Sequence, residues 1–260
     1  MPPILERTAI RARLHRDAPW AAYALGDLAE GYFQHSSWLQ SGDATALLYR
    51  EFPTPILWMQ GAGDDLAQLV AELPPEPEYI LQIQPAAVPL LERRYRMQSL
   101  KPMWRMSLDL RDFRPAASDG AVRLTPADLQ ALLDLYADGE AAHEGPDFFF
   151  PSMLEQAVFI GGWADGELAA VAGTHLVSTA DRVAAIGNVY TRRSRRGQGW
   201  ATRLTTALVQ ELLRQGMETI VLSVHQANHT AERVYQRLGF QRHCDFFEGR
   251  ATLQVKHAHS

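Results

Sequence analysis

The residues with the clearest chemical potential form one run, Asn188-Val189-Tyr190-Thr191-Arg192-Arg193-Ser194-Arg195-Arg196-Gly197-Gln198-Gly199-Trp200-Ala201. An apolar strand pattern runs into an arginine-flanked glycine turn, and a helical pattern starts at once. Glycine lets the backbone turn tightly and bring several N–H groups toward one point. The first N–H groups of a helix have no intrahelical acceptor, and the helix dipole favours negative charge there. Together these features predict an anion cradle suited to a pyrophosphate, with Arg195 and Arg196 adding charge-assisted bonds. The run is not the Gly-x4-Gly-Lys-Ser/Thr pattern of nucleotide hydrolases, and it lacks the third glycine of the dinucleotide fingerprint. Spacing alone leaves a solvated basic turn as the other reading.

Other chemistry-bearing residues are more scattered. Tyr235 lies on an apolar helix face with Ala231, Val234 and Leu238, where packing alone could account for it. His175 falls on a strand pattern, and a histidine titrates near neutrality. Glu144 lies in a loop-rich stretch, Glu140 to Pro151, with His143 and the triplet Phe148-Phe149-Phe150. The triplet could line a pocket or fill the core beneath that loop. His225 and His229 do not share a helical face, because Asn228 caps the helix between them, and Gln226 stands where a zinc-protease glutamate would be. His243 and Cys244 are neighbours on a strand and point to opposite faces. Cys244 reads as a small buried hydrophobe, and no metal site is expected.

Periodicity supplies the elements that must position these groups. Val122-Arg123-Leu124 reads as a strand, and Thr125 caps a helix whose apolar face is Leu129, Leu132, Leu133 and Tyr136. Ala157 to Trp163 is a strand, and Ala164-Asp165-Gly166 is its hairpin turn. Glu167 to Val177 and Arg182 to Thr191 are the next strands. Ala201, Leu204, Leu208 and Leu212 mark a helix closed by Gly216. Thr219 to Val224 is a buried strand, a helix capped by Asn228 ends at Gly239, and two strands follow, Phe240 to Glu248 and Ala251 to Lys256.

Upstream, Pro55 to Gln60, Tyr79 to Gln84 and Met103 to Leu110 read as strands, with helices over Asp64 to Leu73 and Ala86 to Tyr95. This order repeats that of Ile186 to Glu248. The corresponding turn, Gly61-Ala62-Gly63-Asp64, carries no arginine and places acids at the helix start, which would repel phosphate. The fold expectation is therefore α/β: a mixed central sheet flanked by helices over residues 116–260, preceded over residues 1–115 by a degenerate α/β domain of similar pattern. Asp112 to Gly120 is the linker.

Composition excludes several classes. With 260 residues, 47% apolar and a net charge of −5, the chain has an ordinary globular balance and no general attraction to nucleic acid or anionic lipid. Cys244 is the only cysteine, so no intrachain disulfide can form. No apolar run approaches the roughly 20 residues of a membrane span, and Met1 to Arg7 lacks a signal-peptide core. A soluble, cytoplasmic protein with no membrane or nucleic-acid partner is expected.

Arg196-Gly197-Gln198-Gly199-Trp200-Ala201 resembles the Arg/Gln-x-x-Gly-x-Gly/Ala signature of the GNAT superfamily of N-acetyltransferases. Asn228, Ala231, Tyr235, Gly239 and Phe240 are similar to that superfamily's next motif, in the right order and at the right separation. The resemblance covers roughly Val122 to Val255. The first half resembles the degenerate amino-terminal copy of some two-domain members, without a motif to secure it.

The resemblance implies a sheet splayed after Ile186 to Thr191, with the pantetheine arm of acetyl-CoA in the gap. The backbone of Val189, Tyr190 and Thr191 would bind the arm. Arg196, Gly197, Gln198, Gly199, Trp200, Ala201 and Thr202 would hold the pyrophosphate, and Asn228 belongs to the same cofactor-binding set. Tyr235 matches the family's general acid, and the Val189 N–H would meet the oxyanion. Many members carry a glutamate on the strand before the phosphate loop. Here Gly187-Asn188-Val189-Tyr190 offers none, so His175, Glu144 or a water-relayed base remains open.

The function implied is direct transfer of an acetyl group from acetyl-CoA to a small-molecule amine in a ternary complex. A non-catalytic acyl-CoA sensor and an acyltransferase with a longer donor are the alternatives.

Overall fold

The structure, a computed structural model, describes residues 6–140, 144–146 and 148–254. His143, Lys256, His257 and His259 lie outside the described residues. The chain divides into two compact units, Met1–Arg105 with His225–Ala227 and His243–Ser260, and Met106–Val224 with Asn228–Arg242. The last segment therefore groups with the first unit, whereas a division at 115/116 follows chain order alone.

Along the chain, α1 (Arg7–Leu14), α2 (Ala18–Gly26) and α3 (Glu30–Phe33) precede β1 (Ser36–Ser41) and β2 (Ala44–Tyr49). Next come β3 (Ile56–Gln60), α4 (Gly63–Ala71), β4 (Glu78–Ile83), α5 (Val88–Leu91) and β5 (Tyr95–Leu108). The second half continues with β6 (Ala121–Arg123), α6 (Leu129–Glu140), α7 (Met153–Gln156), β7 (Phe159–Ala164), β8 (Glu167–Ser178) and β9 (Val183–Thr191). It ends with α8 (Trp200–Arg214), β10 (Thr219–His225), α9 (His229–Arg237) and β11 (Phe240–Leu253). Both units are mixed α/β, as expected. Among the described residues no helix is long and apolar enough to cross a membrane.

In the first unit the strand order is β1-β2-β3-β4-β11-β5. Two antiparallel pairings, β1–β2 and β2–β3, are followed by a parallel one, β3–β4, which α4 bridges. The second unit has the order β10-β9-β8-β7-β6. There β7–β8 and β8–β9 are antiparallel and β9–β10 is parallel, bridged by α8. The same pairing sequence thus occurs twice.

Local chemistry accounts for the second unit's elements. Asp165 and Gly166 both take positive φ, 52° and 82°, the conformation that a two-residue hairpin turn between β7 and β8 requires. Leu204, Leu208 and Leu212 of α8 are fully buried, each burial contributing about 1.5–3 kcal/mol. That stripe fixes the start of α8 relative to the sheet. The Asp128 carboxylate accepts from the Thr125 N–H at 2.8 Å and from its hydroxyl at 3.0 Å, closing the turn that leads into α6.

Several expectations change. Phe240 to Leu253 is one continuous strand, because Phe247 to Thr252 stay in register with Ile83 to Glu78 straight through Gly249. Leu133 is exposed, and Leu135 takes its place on the buried face of α6. The expected helix over Ala86 to Tyr95 shrinks to a 3-10 turn and α5, and strand β5 begins at Tyr95. Helices α1 to α3 and the β1–β2 hairpin were not anticipated.

Candidate functional site

Strands β9 and β10 pair from Val183↔Thr219 to Ile186↔Leu222, and there the pairing ends. Both strands continue, β9 to Thr191 and β10 to His225. On its other side β9 remains paired with β8 as far as Ala170↔Thr191. One edge of Gly187 to Thr191 is therefore held by β8 while the edge toward β10 is released.

Two irregularities mark the point of release. Val171 faces Tyr190 and Gly173 faces Gly187, so Asn188 and Val189 together oppose the single residue Ala172. Asn188 accordingly takes φ +53°, which asparagine tolerates better than most side chains. Thr174 faces Ile186 and Leu176 faces Ala185, leaving His175 as the extra residue of β8. Its ring lies over Gly187, where an added Cβ would come within 2.3 Å of it. These paired bulges re-aim local backbone and side chains.

The arginine-glycine turn begins directly after β9. Arg193–Arg195 forms a 3-10 turn, Gly197 and Gly199 take φ +76° and +81°, and Gly199 caps α8. The i→i−4 bond Arg203 N–H to the Gly199 carbonyl, 3.0 Å, opens the helix ladder. The N–H groups of Trp200, Ala201 and Thr202 therefore precede any intrahelical acceptor. A Cβ added at Gly197 or Gly199 would meet nothing within 4 Å, so both face open space. The Trp200 ring packs on Gly162, so its contribution to this cradle is its backbone.

Residues of α6 brace the turn. The Asp138 carboxylate accepts from the Tyr190 hydroxyl at 2.9 Å and from the Arg193 N–H at 2.8 Å. Burial works to raise the Asp138 pKa, but these bonds outweigh it and hold the carboxyl below its ordinary range. The Tyr136 hydroxyl donates to the Asn188 carbonyl at 3.2 Å. Gly139 leaves the room for this arrangement, since a Cβ there would lie 2.9 Å from the Tyr190 hydroxyl oxygen. Gly→Ala in a helix ordinarily gains about 1 kcal/mol, while overpacking costs about 1–3 kcal/mol. Gly139→Ala is thus expected to destabilise the protein by about 1 kcal/mol in denaturant unfolding, and a stabilised variant would contradict the packing described.

The remaining candidates fall in distinct places. Arg196 donates to the Glu144 carboxylate at 2.6 Å and to the Thr191 carbonyl at 3.3 Å, and its guanidinium lies 5.6 Å from the Tyr190 ring centre. The Arg196 hydrogen bond holds Glu144 below the usual carboxylate pKa. Asn228 is a helix cap, accepting from the Ala231 N–H at 3.1 Å, so its side chain is engaged there. Tyr235 is 8% exposed, packs edge-on against Phe240, and has its pKa pushed up to about 12 by burial. Phe149 packs into the core against Tyr136 and Phe159, whereas Phe148 and Phe150 are exposed and face each other edge-on. Phe148 also lies against His175, with ring centres 5.9 Å apart. Cys244 is partly buried.

Sequence reading placed Tyr136 on the apolar face of its helix but missed its bond to β9, and it missed Asp138 and Gly139; all three act across more than fifty positions of chain. The available signal was faint: three polar or small residues near the end of an otherwise apolar helix face.

Comparison with known proteins adds the family. Residues 128–240 match the family model described as acetyltransferase (GNAT) family. A mycothiol acetyltransferase of Tsukamurella paurometabola is 29% identical over 152 residues, 51% of this chain and 52% of the relative. A ribosomal protein bS18-alanine N-acetyltransferase of Haemophilus ducreyi is 40% identical over 45 residues, 17% of this chain and 31% of the relative. The matches thus span about half of the first relative and about a third of the second. The crystal structure of a GNAT-family acetyltransferase from Novosphingobium aromaticivorans shares the fold, with a TM-score of 0.59 at 22% identity over 88% of this chain and 96% of that one. Residues 128–240 of this chain therefore form a domain of the acetyltransferase (GNAT) family.

Proposed function

We infer that the second unit transfers an acetyl group from acetyl-CoA directly to an amine. The observation that carries this reading is the parting of β9 from β10 beyond Ile186, immediately upstream of an open helix N-terminus. An extended amide-containing arm can bind such a released strand edge as an added strand would. The Val189, Tyr190 and Thr191 backbone would take the pantetheine arm. The N–H groups of Gly197 to Thr202, with Arg196 and Gln198, would take the pyrophosphate.

The chemistry needs an amine freed of its proton, a donor for the developing oxyanion and a proton for the departing thiolate. The Val189 N–H, in the bulge, is the oxyanion donor in this reading. Tyr235 keeps its proton well above neutrality and suits the acid role. For the base, His175 beside Gly187 is favoured over Glu144. A carboxylate held low by Arg196 is poorly matched to accepting a proton near pH 7. Phe148 and Phe150 give the acceptor an apolar wall. One relative's name specifies N-acetylation, which supports a nitrogen acceptor.

Glu144 acts here as the counter-ion that acetyl-CoA displaces. Its pair with Arg196 is exposed and screened by water, so its removal should have only a small effect. Glu144→Gln is expected to tighten acetyl-CoA binding about two- to fivefold at neutral pH. Because the Glu144 pKa is depressed, the charge that competes with phosphate persists down through the ordinary carboxylate range. It is lost as pH falls through the lowered value, so the two proteins should converge in acid. Calorimetric titrations at several pH values check this, and weaker binding by the variant would refute it.

The first unit is read as a copy without a cofactor site. At the start of α4, the Asp65 carboxylate accepts from the Asp43 N–H at 2.8 Å, and Asp64 adds a second acid. Carboxylates thus occupy the position that phosphate takes in the proposal for α8.

The test of the function is thiol release from acetyl-CoA against a panel of amines. Amine-dependent release supports an enzyme; tight binding with no release from any amine would favour a sensor.

A further inference from the structure

Phe148 and Phe150, between α6 and α7, are 41% and 45% exposed, while Phe149 between them packs into the core against Tyr136 and Phe159. The middle ring anchors this segment, and its neighbours turn the other way. Their placement is nonetheless fixed. The two ring centres are 4.9 Å apart, with the planes at 85°. The Phe150 carbonyl accepts from the Met153 N–H at 2.9 Å, and the Phe150 N–H lies 3.4 Å from the Met153 sulfur. A single surface aromatic needs no explanation, but two held edge to face beside a released strand offer a ligand an apolar surface.

The segment follows the released stretch of β9. At one end Glu144 pairs with Arg196 of the turn. A Cβ added at Gly139 would lie 3.0 Å from the Gly145 nitrogen and 2.9 Å from the Tyr190 hydroxyl oxygen, so Gly145 stands beside Tyr190. At the other end Phe148 lies 5.9 Å from His175, whose ring covers Gly187. Tyr190 and Gly187 face Val171 and Gly173, two residues apart on β8, so both point to one side of the sheet. On the opposite side Gly162, paired with Ala170, is covered by Trp200 and Leu204 of α8. Under the proposed function, on which this inference rests, a coenzyme on the turn extends its acyl end along β9 toward Gly187. An acceptor that arrives from the side away from α8 meets Phe148 and Phe150 there.

We propose that Phe148 and Phe150 determine acceptor specificity, selecting a primary amine whose nitrogen carries a hydrocarbon chain or an aryl group. The nitrogen lies at His175 and the hydrocarbon lies across the two rings. Contact removes apolar surface from water on both partners. Hydrocarbon is favoured over a second cation, because phenylalanine has no hydrogen-bonding atom and its ring holds cations less well than that of tryptophan. The same apolar surroundings disfavour the ammonium form of the acceptor and so help to present a neutral nucleophile.

The test measures kcat/KM by thiol release with ethylamine, butylamine, hexylamine and 1,5-diaminopentane, which matches hexylamine in length but ends in an ammonium group. The proteins compared are the parent, Phe148→Ala, Phe150→Ala and the double variant. Both rings are exposed, so thermal unfolding should change little. In the parent, kcat/KM should rise roughly two- to fourfold per methylene. Hexylamine should exceed the diamine roughly tenfold or more. The rise should flatten in each single variant and vanish in the double variant, with acetyl-CoA affinity unchanged by calorimetry. A parent indifferent to chain length, a parent that prefers the diamine, or a rise that survives in the double variant overturns the proposal. Loss of coenzyme affinity in the double variant also overturns it, because the rings would then serve the cofactor. Should no amine release thiol, hexylamine binding to the coenzyme-A-saturated protein separates this proposal from the function on which it rests. Binding tighter than that of ethylamine, and lost in the double variant, upholds the two rings as an amine site and sinks the catalytic reading. Absent or unaltered binding sinks the site.

Discussion

Tyr235→Phe is expected to lower turnover by roughly 100- to 10,000-fold, the contribution of a positioned general acid, when chemistry limits the rate. The ring packs against Phe240 and would remain in place, so stability and acetyl-CoA affinity should change little. The raised pKa, about 12, follows from burial and keeps the hydroxyl protonated across the working range. The parent should therefore show no alkaline loss of rate from Tyr235 until far above neutrality. Steady-state rates with a rapid-mixing check on the chemical step provide the measurement. Near-normal turnover in the phenylalanine variant, with chemistry rate-limiting, would make Tyr235 a packing residue and leave water to protonate the thiolate.

Gly199→Glu should abolish measurable acetyl-CoA binding while the protein stays folded. Gly199 takes φ +81°, so any side chain there carries backbone strain, about 1–2 kcal/mol. Its Cβ would enter open space, so no clash adds to that. A carboxylate at a helix start is locally favourable, offsetting part of the strain. The same carboxylate about 4 Å from a phosphate opposes it by about 1 kcal/mol in bulk water and about 4 kcal/mol near a protein surface. Gly199→Ala separates the terms, since it carries the strain without the charge and should retain most of the affinity. If calorimetry finds the glutamate variant binding as tightly as the alanine variant, the phosphate assignment is wrong.

The parts of this site that were legible in sequence are those governed by local rules. Gly197 and Gly199 supply positive φ, Leu204, Leu208 and Leu212 form a helical stripe, and Asn228 caps α9. Each follows from residues within one or two turns of chain. The illegible parts depend on register or on distant partners. Whether His175 and Asn188 are bulges is decided by how β8 meets β9, which no single strand's pattern contains. Glu144 reaches Arg196, and Asp138 reaches Tyr190, across 52 positions.

The terminal strand shows the converse error. Gly249 suggests a break, but cross-strand pairing with β4 carries the strand through it. The β1–β2 hairpin did leave a signal in Gly42-Asp43, with Gly42 at φ +50°. Its flanking residues Ser36, Ser37 and Gln40 hide the alternation that would have drawn attention to it.

The most direct measurement follows both products of one reaction, mixing the protein with acetyl-CoA and its best amine. Free thiol and acetylated amine are quantified together, and the protein's intact mass is recorded during turnover. Direct transfer predicts one acetylated amine for each thiol released and a protein that gains no acetyl group. Thiol release without acetylated amine, or an acetylated protein that forms and decays at the turnover rate, would contradict direct transfer to an amine.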